Sequence, residues 1–172
     1  GLGTVGSGVA QVLLSHGDRI ACQAGRPLEL ATIIVTDVEK PRSLQLPEGL
    51  LSSDIDSLIN DPTIPVVIQL IGGLEPARTI MLRLLESGKD VITANKALLA
   101  EHGSELFERA RQLGRSIAFE ASVCGGIPIV TAIGQSLAAN RIESLCGILN
   151  GTSNYIMTRM TEEGIGYEEA LA

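Results

Sequence analysis

Tryptophan is missing from these 172 residues, and phenylalanine and tyrosine occur only twice each, so aromatics make up 2% of the chain. A hydrophobic fraction of 45% nevertheless excludes a disordered polypeptide. The core must therefore be built from isoleucine, leucine, valine and alanine, a bias that suits a buried parallel sheet covered by helices. Basic residues are also scarce: 13 Lys and Arg against 20 Asp and Glu leave a net charge of −7. That balance argues against nucleic acid as the main partner, because neutralising phosphates needs a basic face. The only cysteines, Cys22, Cys124 and Cys146, are odd in number and lack metal-ligand spacing. They read as reduced thiols in a cytoplasmic protein. No apolar run approaches the roughly 18 residues needed to cross a bilayer, so no membrane helix is expected.

What is present is an alternation of helical and extended patterns. After the opening glycines, "TVGSGVAQVLLSH" places Val5, Val9, Val12 and Leu13 at helical spacing. "GDRIACQAGRP" reads as a polar connector, and "LELATIIVTD" as a β-branched strand ending at Asp37. "VEKPRSLQLPEG" is a loop by its prolines, and "DIDSLIND" a short helix with Asp54 as its N-cap. "IPVVIQLIGG" is an apolar strand stopped by glycines. "EPARTIMLRLLESG" is a helix with Pro76 in its first turn and Gly88 as its stop. "DVITA" is a strand, "NKALLAEHGSELFERARQLG" a helix with Gly103 as a candidate break, and "SIAFEAS" another strand. Short connections between such segments predict βαβ units on a Rossmann-like, doubly wound parallel sheet.

Beyond residue 120 the character changes. "VCGGIPIVTAIGQSLAAN" opens as a glycine-proline turn and continues as an apolar helix. "RIESLCGILNGTSNYIMTRMTEEG" reads as strand, turn and helix, and "GYEEALA" opens one more helix. The expected division is a dinucleotide-binding domain over 1–124, followed over 125–172 by the start of an α+β domain.

Several residues in this frame can carry chemistry. Gly1, Gly3 and Gly6 match G-x-G-x-x-G, in which the glycines give a tight turn, close backbone approach to a pyrophosphate, and close packing of helix on strand. The helix behind them supplies free N–H groups and a favourable dipole; a purely structural glycine turn is the alternative. Asp37 at a strand end suits a ribose 2′-hydroxyl and hence NAD, whereas Lys40 and Arg42 suit the 2′-phosphate of NADP. "QLIGG" ends a strand on the edge where open α/β sheets bind ligands, with Gly72 and Gly73 allowing close approach. A plain strand-to-helix turn would look the same. Lys96 in "TANK" follows a strand and opens a helix, where a cation can hold a carboxylate or polarise a carbonyl. As a surface lysine it would oppose the helix dipole. Glu120 ends another strand before a glycine-rich loop, an oxygen-rich setting for a hard cation or simply a capping carboxylate. His16 and His102 have no partner at ligand spacing, and Cys124 no nearby histidine, so none of the three is a catalytic candidate.

Taken together, "GLGTVGSGV", "QLIGG…PA", "VITANKALLA", "FEASVCGGIPI" and "GILNGTSNYI" resemble, in this order and over nearly the whole chain, the homoserine dehydrogenases. The resemblance implies reversible NAD- or NADP-dependent interconversion of L-homoserine and L-aspartate 4-semialdehyde, in threonine and methionine biosynthesis. It implies that Gly1, Gly3, Thr4, Val5 and Gly6 line the pyrophosphate loop and that Gly72 lies near the cofactor. Lys96 would reach cofactor and substrate. It further implies a sodium ion held by the Glu120 side chain and the carbonyl oxygens of Val123, Gly125 and Ile127. "LNGTSNYI" would belong to a substrate-binding and dimerisation domain that forms at least a homodimer. Two departures stand out: no strand precedes Gly1, and the family's downstream Glu, Asp and proton-transferring Lys lie beyond the chain. The 172 residues are accordingly expected to be inactive by themselves. The alternatives are another amino-acid or semialdehyde dehydrogenase and a catalytically dead dinucleotide-binding module.

Overall fold

The alternating pattern folds into parallel sheets and covering helices in the computed structural model, which describes residues 1–148 and 150–172. The chain divides into two units, Gly1–Ser122 and Val123–Ala172.

In the first unit the order is α1 (Thr4–Ser15), α2 (Gly17–Ala24), β1 (Ile33–Ile34), β2 (Leu51–Ser52), α3 (Ile55–Asn60), β3 (Val66–Gln69), α4 (Ala77–Glu86), β4 (Asp90–Thr93), α5 (Lys96–Leu113) and β5 (Ile117–Ala118). All pairings are parallel: β1 with β2, and β3 with β4 and β4 with β5. The register sets Val67 against Val91 and Gln69 against Thr93. Helical crossovers α4 and α5 make this parallel order possible.

Helical periodicity explains the core. Ala77, Met81, Leu84 and Leu85 fall on one stripe of α4, and Leu98, Leu106 and Ala110 on one stripe of α5. Met81, Leu84, Leu85, Leu98 and Leu106 are wholly buried, packed with Val91 of the central strand. Truncating one of these leucines to alanine is expected to cost about 2–5 kcal/mol. On the outer faces of the helices, Arg109 donates to Glu86 at 2.8 Å, Arg78 pairs with Glu105 and Arg83 with Asp56. The buried Lys89 donates from Nζ to the carbonyls of Asp61 and Ile64 at 2.6 and 2.9 Å, pinning the loop that enters β3. A second cluster gathers Ala10 of α1 with Ile33, Val35 and Leu50.

The structure corrects several local expectations. The connector after α1 is the helix α2, closed by Gly25 in the left-handed region at φ 72°. Ile20, Ala21 and Ala24 share one of its faces, but the segment is short and otherwise polar, and none of its residues is buried. The strand expected over 28–37 is paired only at Ile33–Ile34 and continues as a single bond from Val35 N–H to the Ser52 carbonyl. Its partner β2 falls in a stretch with no strand pattern, just after the turn at Gly49. Helix α5 runs through Gly103 without a break, because that glycine is buried against Phe107 inside the helix. Pro76 is the N-cap of α4 rather than a residue of its first turn. Asp54 does cap α3, its carboxylate accepting from the N–H groups of Asp56 and Ser57.

In the second unit, α6 (Ile129–Thr131) continues into a π-helical turn over Ala132–Ser136, followed by α7 (Gly151–Glu162) and α8 (Tyr167–Leu171). The Asn150 side chain caps α7 by accepting from Ser153 N–H at 2.9 Å. Arg159 pairs with Glu163 and reaches the carbonyls of Glu169 and Ala170, tying α7 to α8. The strand expected over 141–149 is absent from the described residues 141–148, and Leu149 lies outside the described residues. A strand needs a neighbour for its ladder bonds, and among the described residues of this unit none provides one. Among the described residues no helix is long and apolar enough to cross a membrane.

Candidate functional site

The first helix begins without a side-chain cap. Gly3 is its N-cap, and the first intrahelical bond runs from Ser7 N–H to the Gly3 carbonyl at 2.8 Å. The N–H groups of Thr4, Val5 and Gly6 therefore stand ahead of the ladder, the usual orphan donors of a helix start. With no acidic residue in the first turn, the helix dipole there is uncompensated. Donors and dipole together form an anion-binding end.

The three glycines differ in what requires them. A Cβ on Gly6 would lie 2.2 Å from the Gly1 carbonyl oxygen, so backbone occupies the space of any side chain. A Cβ on Gly1 would lie 3.4 Å from the Leu70 carbonyl oxygen, which places this residue against the loop leaving β3. At Gly3 a Cβ would meet no protein atom within 4 Å. That open approach suits a ligand in contact with backbone, and the residues present fit a dinucleotide pyrophosphate. Thr4 and Val5 are exposed beside it.

The loop from Leu70 to Gly73 is the next component. Gly73 takes φ 79°, a left-handed conformation that favours glycine, while Gly72 has open space around its Cα. The following corner, between β4 and α5, holds this loop from the other side. Asn95 Nδ2 donates to the carbonyls of Ile71 and Gly73 at 2.9 and 2.7 Å, and its Oδ1 accepts from Leu98 N–H at 3.1 Å, capping α5. Behind it, the Thr93 hydroxyl donates to Gln69 Oε1 at 3.1 Å and accepts from Asn95 N–H at 3.1 Å. Ser122 Oγ donates to the Thr93 carbonyl at 3.0 Å. Gln69, Thr93 and Asn95 are all buried, so the carboxyl ends of β3 and β4 are joined by a polar network at the sheet edge where open α/β folds bind ligands.

Lys96 is the residue after this clamp and opens α5. It is exposed, and among the described residues no side chain pairs with its ammonium. Gly1 and Gly6, the Gly72 loop and Lys96 thus belong to one continuous edge. The network residues Gln69, Thr93, Asn95 and Ser122 were not among the sequence candidates. For Gln69 and Thr93 the available signal is a polar residue closing an otherwise apolar strand; Asn95 and Ser122 carry none of that kind.

Three residues beyond β1, Asp37 accepts from the N–H groups of Glu39 and Lys40 at 2.9 and 3.1 Å. The Arg42 guanidinium donates to the carbonyls of Asp37, Val38 and Lys40, closing the loop with its cationic group fixed. Glu120 opens a 3₁₀ turn, Glu120–Ser122, after β5 rather than ending the strand itself. In the second unit, Cys124 and Gly125 adopt φ 55° and 59°, and Ile127 N–H returns to the Cys124 carbonyl at 3.1 Å. The Ile127 carbonyl accepts from Ile129 N–H at 2.8 Å, leaving its second lone pair for another partner. Among the described residues no three His, Cys, Asp or Glu side chains gather as a metal site. His102 lies 3.7 Å from the Glu105 carboxylate on the surface of α5.

Residues 1–120 match the family model described as the NAD-binding domain of homoserine dehydrogenase, and residues 128–172 match the homoserine dehydrogenase model. Homoserine dehydrogenase of Synechocystis is 44% identical over 171 residues, covering 99% of this chain and 39% of its own. That of Bacillus subtilis is also 44% identical over 171 residues, covering 99% of this chain and 40% of its own. The crystal structure of a homoserine dehydrogenase from Thiobacillus denitrificans superposes with a TM-score of 0.91 at 43% identity, over 99% of this chain and 39% of that one. The chain thus spans about two fifths of the length of the relatives it matches.

Proposed function

The chain belongs to the homoserine dehydrogenase family, and on that premise we propose that the protein carrying it interconverts L-homoserine and L-aspartate 4-semialdehyde with a nicotinamide dinucleotide. The observation that supports this most is the uncapped start of α1 meeting the Leu70–Gly73 loop, with Lys96 directly beyond the clamp on that loop. Residues 1–124 act as the cofactor domain and 125–172 as the beginning of the substrate and dimerisation domain.

Each part of the edge has a role. The N–H groups at Thr4, Val5 and Gly6 hold the pyrophosphate, with Gly1 and Gly3 letting backbone come close. Gly72 gives the nicotinamide end room. Lys40 and Arg42 are the cations available to a 2′-phosphate, which makes NADP the preferred cofactor; the Asp37 carboxylate and the Arg42 guanidinium both bond within their own loop, the guanidinium with N–H groups to spare. When bound, the nicotinamide ring supplies the acceptor for the hydride leaving the alcohol carbon. Lys96 holds and polarises the substrate oxygen as it becomes a carbonyl. The hydroxyl proton passes to a general base, the role that the family resemblance gives to a lysine. Sodium is the cation that the family resemblance implies, and a carboxylate such as that of Glu120 is a hard donor of the kind it prefers. The protein works as a cytoplasmic homodimer or higher homo-oligomer in the pathway to threonine and methionine.

The test is steady-state turnover of the full-length protein. Reduction of NADP⁺ that depends on L-homoserine is expected. Inactivity with homoserine alongside activity on a different amino acid would overturn the assignment.

A further inference from the structure

Asparagine at a helix N-cap is ordinary, since aspartate, serine and threonine cap as well. Capping α5 uses only the Oδ1 atom of Asn95. What the other cap residues cannot supply is the amide NH₂, and here both its hydrogens are engaged. Nδ2 bridges the carbonyls of Ile71 and Gly73, two residues apart on the loop leaving β3, at 2.9 and 2.7 Å. The main-chain N–H of Asn95 is held by Thr93, which is held in turn by Gln69 of the register-paired strand. Gln69 Nε2 reaches the Ala77 carbonyl at the start of α4. Asn95 is 9% exposed, so these bonds form in an environment where leaving a carbonyl unpaired is costly.

We propose that Asn95 is the positioning residue of this site: its amide fixes the Ile71–Gly73 loop relative to Lys96, the next residue in the chain, so that cofactor contact and substrate cation keep one geometry. This rests on the assignment of Lys96 and Gly72 to the substrate and cofactor given above. Asn95 touches neither ligand. It acts through Lys96 on one side and through the loop backbone on the other. Because the planar amide spans both, a shift of either carbonyl is transmitted to the first turn of α5, and hence to the base of the Lys96 side chain. Rigid placement of this kind is where orientation contributes to rate.

Two variants of the full-length protein separate clamp from cap. Asn95→Ser keeps a cap oxygen and removes both donors. Asn95→Asp keeps a strong cap but sets a carboxylate against two carbonyls. In each, the dissociation constant for NADPH is expected to rise about tenfold and kcat with homoserine to fall about tenfold, the Asp variant being the worse of the two. In a Lys96→Ala background the kcat effect of Asn95→Ser should vanish, because the group through which it acts is gone. Wild-type NADPH affinity and kcat in both variants, with only a lowered Tm, would reduce Asn95 to a helix cap and overturn the proposal. So would kcat losses that simply multiply in the double variant. If the wild-type protein fails to oxidise homoserine, the reading of function falls; the NADPH titrations still decide whether the amide positions the cofactor loop.

Discussion

Two elements grip the loop Leu70–Gly73, and they are built from opposite materials. On one side is the glycine-rich start of α1, where backbone meets backbone: Gly1 lies against Leu70, and Gly6 against Gly1. On the other side is the β4–α5 corner, where side chains do the holding, through Asn95, Thr93 and Gln69. In the first, Gly6 leaves no space for a side chain, and the glycine spacing that makes this possible is a short local pattern. The second depends on donors and acceptors whose partners lie 22 to 24 residues away, so it is specified only by the assembled sheet. An anion needs the first arrangement, because many convergent N–H groups are available only from backbone. A cation aimed at a small polar substrate needs the second.

The sharpest way to break this contrast is to remove the cation. Lys96→Ala in the full-length protein should lower kcat/KM by about a hundredfold to a thousandfold with the fold retained, as judged by Tm and circular dichroism. Near-normal rates would make Lys96 a surface residue. On the backbone side, Gly6→Ala forces a methyl into the space of the Gly1 carbonyl and should raise the NADPH dissociation constant about a hundredfold. Unchanged binding by titration would show that the loop does not hold the pyrophosphate. Arg42→Ala removes a cation for the 2′-phosphate together with the three carbonyl bonds that close the loop, and should weaken NADPH about tenfold and NADH less. Equal losses for both cofactors would move that contact elsewhere.

The smallest effect concerns the surface pairs that brace α4 on α5. Hydrogen bonds from Arg78 hold the Glu105 carboxyl below its ordinary value, and the Thr79 hydroxyl does the same for Glu75. Groups with depressed folded-state values add stability above their unfolded values and lose it as pH falls through the folded ones. The Tm difference between wild type and Glu105→Gln should therefore be small and constant above about pH 5, and close as the pH is lowered into the acid range. A difference that grows on acidification would contradict the pairing.

The same contrast explains what the sequence disclosed. The glycine spacing and the capping residue Asp54 are local statements, and both describe features that form; the β-branched runs place strands but not their lengths. Gly25 and Gly114 mark helix ends by adopting left-handed φ. Helix α2 is only eight residues long and mostly polar, so the single short face of Ile20, Ala21 and Ala24 is too little to set it apart from a connector. The run at 28–37 looks like a long strand, yet pairing at Ile33–Ile34 sets its length, and that depends on where Leu51 and Ser52 fall. In the second unit a β-rich run at 141–148 forms no strand among the described residues, and Leu145 and Ile148 stay 60% and 77% exposed. Composition can announce a strand; only a neighbour makes one. For the site, Lys96 stands out in the sequence by its place after a strand, while nothing local singles out Asn95, whose amide bridges carbonyls 24 and 22 residues back in the chain.

The reading of the edge as a hydride-transfer site can be tested without any variant. Full-length protein given L-homoserine deuterated at its alcohol carbon, together with NADP⁺, should yield reduced cofactor carrying the deuterium, detected by mass spectrometry. Reduced cofactor without the label, or no reduction at all, would contradict direct transfer across this edge.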